Sequence, residues 1–166
     1  MNITITRKES RNVLRCARED GTSVTVELGP GLPHHDLAHY VIERKLRLKG
    51  GFFGKIADGY SVAQLSDKDI IKTLGAETLI AEVVARALQS LSSGACTLEQ
   101  FMELVNAELS HWKVATLAIQ TDTTTEMLTE FKSLVERYGD LKNGQSVKLQ
   151  FLVQSAANNC SLHDRV

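Results

Sequence analysis

The residues best suited to chemistry lie between Leu32 and Glu43, where three of the five histidines stand beside two carboxylates. His35 and His39 have the two-histidine spacing of the His-Glu-x-x-His zinc helix, with Asp36 in place of the glutamate. Side chains four apart on a helix differ by about 40° in azimuth and about 6 Å in rise, so both imidazoles can face one ion. The spacing indicates a candidate metal site with His35 and His39 as ligands, for a divalent metal such as zinc.

A third metal ligand must come from another element. Glu43 lies eight residues after His35, about 12 Å along a helix axis, which is too far to share one ion at ligand distances of about 2 Å. Glu77 is the favoured third ligand, because it falls on the apolar side of its own predicted helix near the N-terminus, and His111 is the second choice. Glu82 falls on the side away from the core and is expected to face solvent.

Asp36 is the candidate catalytic residue, as the base or orienting group of a metal-dependent hydrolase. Its side chain is one methylene shorter than the glutamate that positions water in zinc peptidases, so its carboxylate would stop short of a metal-bound water. The positive end of the helix dipole also disfavours a dication beside His34 and His35 in the first turn. Both points count against the metal hypothesis.

Two other interpretations of the cluster stay open. In the first, Asp36 stabilises the helix N-terminus, and His35 and His39 bond to backbone or to neighbouring carboxylates. In the second, the free amide groups at the helix start bind an anion such as a phosphate or carboxylate, with histidines such as His34 donating hydrogen bonds. The chain has no Walker pattern and no Gly-x-Gly-x-x-Gly at this point, which weakens the anion interpretation.

A basic run follows near the end of the same helix. Its members are Arg44, Lys45, Arg47, Lys49 and Lys55. Together with Phe52 and Phe53 as stacking platforms, they could contact nucleic-acid phosphates. The favoured interpretation is a solvated face that complements the negative helix end, with the two phenylalanines plugging the core. Arg44, Phe52 and Phe53 are nevertheless candidate ligand-binding residues, since an exposed Phe-Phe pair would mark a partner surface.

Alternation of apolar residues with a period of two predicts strands near both ends of the chain. Three strands lie between Asn2 and Leu28, with Asp20-Gly21 as a tight turn. A fourth follows the Asn143-Gly144 turn and runs from Ser146 to Val153. We expect it to return to the N-terminal sheet.

Helical periodicity fills the middle of the chain. The predicted helices run from Pro33 to about Leu48, from Ser66 to Gly75, from Ala76 to about Leu91, onward from Thr97, and from Thr123 to Tyr138. Gly50-Gly51 is the predicted stop of the first helix. A capping box at Thr97 begins the fourth helix, which is expected to bury Phe101, Leu104 and Val105. The segment 111–120 could be helix or strand, and helix is favoured. The fold class is therefore α+β, an N-terminal three-stranded antiparallel meander plus a C-terminal strand, packed against four to six helices. Residues 1–153 form one domain, and 154–166 are predicted to be a flexible tail.

Composition limits the class of protein. The 166 residues are 43% apolar and 23% charged, which is typical of a globular domain with a substantial core. A net charge of −1 argues against chain-wide attraction to nucleic acid or anionic lipid. Three cysteines without a Cys-x-x-Cys pair favour free thiols in a reducing compartment, so a cytoplasmic location is predicted. No apolar stretch approaches membrane-spanning length, and the start lacks the features of a signal peptide.

The segment Leu32-Pro33, His35-Asp36-Leu37-x-His39-Tyr40, with Glu43 in place, resembles a Leu-Pro-His-Asp-Leu-x-His-aromatic-x-Val-Glu stretch of uncharacterised small bacterial proteins. The resemblance covers roughly a tenth of the chain, and the extra histidine and Ile42 depart from the pattern. It implies a bacterial protein and carries no activity with it.

Two functional hypotheses result. The leading one is a small cytoplasmic protein that acts by binding a protein partner or by self-association, with the His/Asp cluster structural or in contact with an anion. The alternative is a metal-dependent hydrolase with His35 and His39 as ligands. Neither nucleic acid nor a membrane is an expected partner. Nucleophilic catalysis is not predicted, since no Ser-His-Asp or Cys-His arrangement can be placed.

Overall fold

A computed structural model confirms the predicted α+β class and describes residues 1–29, 31, 33–71 and 73–152. The predicted tail at 154–166 and the last residue of the predicted fourth strand, Val153, lie outside the described residues. So does Leu32 of the histidine segment.

The sheet has four antiparallel strands in the order β3-β2-β1-β4. The strands are β1 (Asn2–Thr6), β2 (Val13–Ala17), β3 (Ser23–Glu27) and β4 (Ser146–Gln150). Strand β1 is central, and its Ile3 and Ile5 are fully buried because alternate residues of a strand point to the same face. Ile3 pairs with Cys16 on one side and with Leu149 on the other. The return of the C-terminal strand to the N-terminal meander is thus confirmed.

The helical layer is built around α1. The helices are α1 (His34–Leu46), α2 (Phe52–Ala57), α3 (Val62–Leu65), α4 (Lys68–Ile71), α5 (Ala76–Ser93), α6 (Leu98–His111) and α7 (Thr121–Gly139). Helix α1 packs against both α5 and α7, and α6 packs on the far side of α5. Seven consecutive residues of α1, from Leu37 to Glu43, are buried, so this helix is enclosed on nearly every side.

Helix α1 ends earlier than the Gly50-Gly51 stop predicts. Arg47 adopts the left-handed conformation at φ 56° and caps the helix, while neither glycine has a positive φ. The two glycines serve close packing instead, since a Cβ at Gly50 would overlap Glu77 and one at Gly51 would overlap the Glu43 carboxyl group. Their small size, rather than backbone freedom, is what this turn requires.

Three other details depart from the sequence prediction. Residues 114–120 are neither helix nor strand, because the left-handed Lys113 at φ 58° ends α6 and Asn106 Oδ1 accepts the Leu117 amide proton at 2.9 Å. Leu104, expected in the core, is 48% exposed on the outer face of α6. Of the span expected to be helical from Ser66 to Gly75, the described residues form the short helix α4, and α3 ends before that span begins. Within the described residues, no helix is long and apolar enough to cross a membrane.

Candidate metal centre

Two packed helices bring three potential metal ligands together. His35 and His39 lie on the face of α1 that meets α5, and Glu82 lies on the second turn of α5 facing them. The i, i+4 spacing aligns the two imidazoles, while the packing of α1 on α5 supplies the carboxylate. We refer to His35, His39 and Glu82 as the ligand triangle.

The ligand triangle is nearly equilateral. His39 Nε2 lies 3.2 Å from His35 Nε2 and 3.2 Å from Glu82 Oε2, and His35 Nε2 lies 3.2 Å from the same oxygen. A tetrahedral ion with bonds of about 2.0 Å separates its ligands by about 3.3 Å, and an octahedral ion with bonds of about 2.1 Å separates them by about 3.0 Å. The spacing of the three atoms therefore falls between the two values that one metal ion would impose.

A buried carboxylate holds the ring of His39 from behind. His39 Nδ1 donates to Glu43 Oε1 at 3.0 Å, and Glu43 Oε2 accepts the Gly54 amide proton at 3.1 Å. The Glu43 side chain is 0% exposed and the His39 side chain 6%. Histidine ligands of metals commonly donate the N–H of the nitrogen that does not bind the ion to a carboxylate in this way, and the other nitrogen is then directed at the ion.

The other two members of the triangle also have outer partners. Gln89 Nε2 donates to the Ala85 carbonyl oxygen at 3.2 Å and lies 3.0 Å from His35 Nδ1. Arg86 Nε lies 3.4 Å from Glu82 Oε1, and the same guanidinium pairs with Glu108 on α6. Arg86 thereby occupies one carboxylate oxygen of Glu82 and leaves Oε2 to face the histidines.

The charges of the triangle are strongly coupled. Burial alone would lower the pKa of His39, but hydrogen bonds to Glu43 and Glu82 outweigh it and raise that pKa to about 9. Hydrogen bonds from His35 and His39 hold the pKa of the Glu82 carboxyl far below its ordinary value. Burial raises the pKa of Asp36, against the opposing effect of the two histidines. An imidazolium at His39 and a carboxylate at Glu82 are the resulting states near neutral pH.

A cavity of about 270 Å³ opens beside the triangle. Its polar end holds His35, Asp36, His39 and Glu82. The remaining walls include the apolar side chains of Phe52, Leu65, Leu74 and Leu79. The volume approaches the range of small-molecule sites, and such sites combine apolar walls with a few convergent polar groups.

The structure brings some of the predicted site residues together and separates others. His35 and His39 converge as expected, and Asp36 lines the same cavity but lies outside the ligand triangle. The favoured third ligand, Glu77, does not reach the histidines: its Oε2 accepts the Gly50 amide proton at 2.6 Å. His111 packs its ring against Trp112 at the end of α6, with ring centroids 5.6 Å apart.

The predicted ligand-binding residues divide similarly. His34 turns away from the triangle, with its ring 6.4 Å from that of Phe131 on α7. Arg44 pairs with Glu130, and Phe53 is fully buried in the core. Phe52 alone lines the cavity, and its ring centroid lies 5.7 Å from that of His39. The partly buried Phe52 is thus part of the cavity wall rather than an exposed docking side chain.

Sequence reasoning missed Glu82, which it assigned to solvent. Glu82 is partly exposed, as its position on α5 predicts, but the open side of α5 is also the side that faces the start of α1. The role of Glu43 as a partner of His39 follows from the sequence, because Glu43 continues the i, i+4 series from His35 through His39. That series places Glu43 next to His39 and one turn too far from His35.

Comparison of the chain with protein-family models, with curated proteins and with solved structures found no match. The similarity of the α1 segment to small bacterial proteins stays a prediction. The geometry of the centre is therefore the basis for assigning a function.

Proposed function

We propose that this protein binds one divalent metal ion, with zinc the favoured ion, through His35 Nε2, His39 Nε2 and Glu82 Oε2, and that it acts as a metal-dependent hydrolase. The mutual spacing of 3.2 Å among these three atoms carries the proposal. Two histidines and one carboxylate form a common ligand set of catalytic zinc, in which the fourth position stays open for water or substrate.

Hydrogen bonding alone satisfies the triangle poorly. Gln89 donates to His35 Nδ1 and Glu43 accepts from His39 Nδ1, so with His39 in the doubly protonated form that its raised pKa favours, the Nε2 protons of both rings point at the single acceptor Glu82 Oε2. The two Nε2 atoms then face each other at 3.2 Å with no acceptor between them. A divalent cation replacing these two protons would turn a crowded contact into three metal bonds.

The helix-dipole objection loses force in the folded chain. A dication near the first turn of α1 is disfavoured by the helix alone. In the folded chain, however, three carboxylates surround the two histidines. Glu43 bonds to His39, Glu82 reaches both histidines from α5, and Asp36 lines the same cavity. These negative charges favour a bound cation and disfavour the anion interpretation of the same cluster.

The cavity beside the triangle gives a substrate access to the bound ion. A zinc ion held there would polarise a carbonyl oxygen and lower the pKa of a bound water toward neutrality. Asp36 lines the same cavity, and we assign it the role of proton acceptor.

The free cysteines Cys16 and Cys96 favour a reducing compartment such as the cytoplasm.

The metal site is tested by measuring zinc content. Untagged protein is incubated with zinc and desalted, and we expect about one equivalent to remain, because the described residues contain one ligand triangle. Glu82→Gln should lower zinc affinity more than about 100-fold, because it replaces a charged ligand directly. Glu77→Gln is the matched control, since it lies on the same helix and bonds to Gly50 instead. Wild-type protein without zinc, or equal loss in both variants, would overturn the site.

The hydrolase assignment needs its own measurement. Zinc-loaded protein should hydrolyse 4-nitrophenyl acetate faster than buffer, and either a chelator or His39→Ala should remove that activity. Asp36→Asn should lower the rate while leaving zinc content unchanged. If zinc-loaded protein hydrolyses simple esters and amides no faster than buffer does, the hydrolase assignment is refuted and the protein is a metal-binding protein only.

A further inference from the structure

We infer that the cavity beside the ligand triangle binds a small, uncharged carbonyl compound, an ester or amide whose apolar group fills the space between α2, α3 and α5. The inference rests on the proposed function, because the polar end of this ligand is held by the metal ion. It adds the substrate class, which the ligand triangle alone does not specify.

The walls of the cavity define the apolar group. Phe52 from α2, Leu65 at the end of α3, Leu74 before α5 and Leu79 on α5 surround the space. An apolar cavity of about 150 Å³ accommodates benzene. The volume of about 270 Å³ therefore has room for a phenyl ring, or an acyl chain of similar size, together with a short polar link to the metal.

The charged groups of the cavity lie together, in the ligand triangle and the adjacent Asp36. The Ser66 hydroxyl already donates to the Val62 carbonyl oxygen at 2.9 Å, and the Thr78 hydroxyl donates to the Gly50 carbonyl oxygen at 2.7 Å. Both hydroxyl protons are therefore engaged, and the charged groups that face a ligand are the triangle and Asp36. A ligand that extends polar groups toward the leucines would lose hydrogen bonds to water without replacement.

Charge excludes an anionic ligand from the same space. No lysine or arginine occurs among the lining residues that the structure describes. A divalent ion would bring two positive charges, which the carboxylates of Glu82 and Asp36 balance. A carboxylate or phosphate on the substrate would find no counter-charge beyond the metal, and Asp36 would repel it.

The substrate class can be tested with hydroxamic acids, which share one metal-binding group and differ in the rest of the molecule. Their affinities for the cobalt(II)-loaded protein are measured through the visible absorption of the ion. Benzohydroxamic acid should bind about tenfold more tightly than acetohydroxamic acid, because its ring enters the apolar cavity. 4-Carboxybenzohydroxamic acid should lose that advantage. Equal affinity for all three, or preference for the carboxylate, would refute the inference while the metal site stands. Protein that takes up no cobalt would refute the proposed function itself.

Two variants separate the cavity from general effects on the fold. Leu79→Ala should weaken benzohydroxamic acid about fivefold and leave acetohydroxamic acid unchanged. Leu104→Ala, on the exposed face of α6, is the matched control and should change neither. Ser66→Lys places a cation at the exposed rim and should restore binding of the carboxylated probe. No effect of either cavity variant on the probes would contradict the assignment.

Discussion

The hydrogen bond between His39 Nδ1 and Glu43 Oε1, 3.0 Å long, joins two residues one turn apart on α1 that are almost fully removed from water. A buried carboxylate without partners costs several kcal/mol, but Glu43 has two, since its second oxygen accepts the Gly54 amide proton. The bond keeps a proton on His39 Nδ1 and directs Nε2 into the ligand triangle. It also ties the centre of α1 to the start of α2.

Replacing Glu43 by Gln should impair metal binding while keeping the shape of the site. An amide has only one acceptor oxygen, so bonding to Gly54 turns its NH₂ group toward His39 and shifts the ring proton to Nε2. We expect zinc affinity to fall about 10- to 100-fold, measured by competition with a chromophoric chelator. Glu136→Gln, a change at an exposed position on α7, serves as the control. Unaltered affinity in a folded Glu43→Gln protein would show that the pair has no part in metal binding.

Gly51 is predicted to be required for its size. Its φ of −75° suits any residue, but a Cβ there would overlap the carboxyl group of Glu43. Gly51→Ala should therefore lower the free energy of unfolding by about 1–3 kcal/mol, the usual range for overpacking, and weaken zinc binding with it. Gly139→Ala is the control, because nothing lies within 4 Å of a Cβ there and alanine favours a helix. Urea unfolding of both variants gives the comparison, and equal stability of Gly51→Ala and wild type would contradict it.

Cys16 gives the stability a predictable dependence on pH. Burial raises the pKa of its thiol to about 12 in the folded chain, from 9.0 without burial. Between these values the unfolded chain loses a proton that the folded chain keeps, so the contribution is complete below pH 9 and is lost as the pH rises toward 12. At pH 10.5 the loss amounts to about 2 kcal/mol relative to pH 8.

The comparison of wild type with Cys16→Ala isolates this effect from other groups that titrate at alkaline pH. Urea midpoints at pH 8 and pH 10.5 should fall further for wild type than for the variant. Parallel falls in the two proteins would show that the thiol titrates normally. In agreement with its burial, Cys16 should also resist alkylation in the folded protein at pH 8.

Tyr138 offers a stabilising substitution. Its hydroxyl is buried and has no hydrogen-bond partner among the described residues, while its ring packs at the end of α7. An unsatisfied buried polar group costs about 1–3 kcal/mol, so Tyr138→Phe should raise the free energy of unfolding by about 1 kcal/mol. Chemical denaturation measures the change. A loss of stability would show that the hydroxyl has a partner in solution, such as an ordered water molecule.

Local patterns in the sequence were sufficient for most of the fold. Alternation in β1 to β4, the capping box at Thr97 and the helical period of α5 each depend on neighbours in the chain, so they can be recognised without the tertiary structure. The predictions that were wrong concern contacts between distant segments. The end of α1 at Arg47 and the exposure of Leu104 depend on what packs nearby, which no local pattern records.

The candidate site divides along the same line. The sequence by itself determined that His35 and His39 face one direction, because their spacing on one helix fixes the angle between them. Only the tertiary structure decided between Glu77 and Glu82 as the third member, since that choice depends on how α5 lies across α1. Because Glu82 follows Glu77 by five positions, the two glutamates lie at different heights and angles along α5, and the packing brings Glu82 to the imidazoles and Glu77 to Gly50.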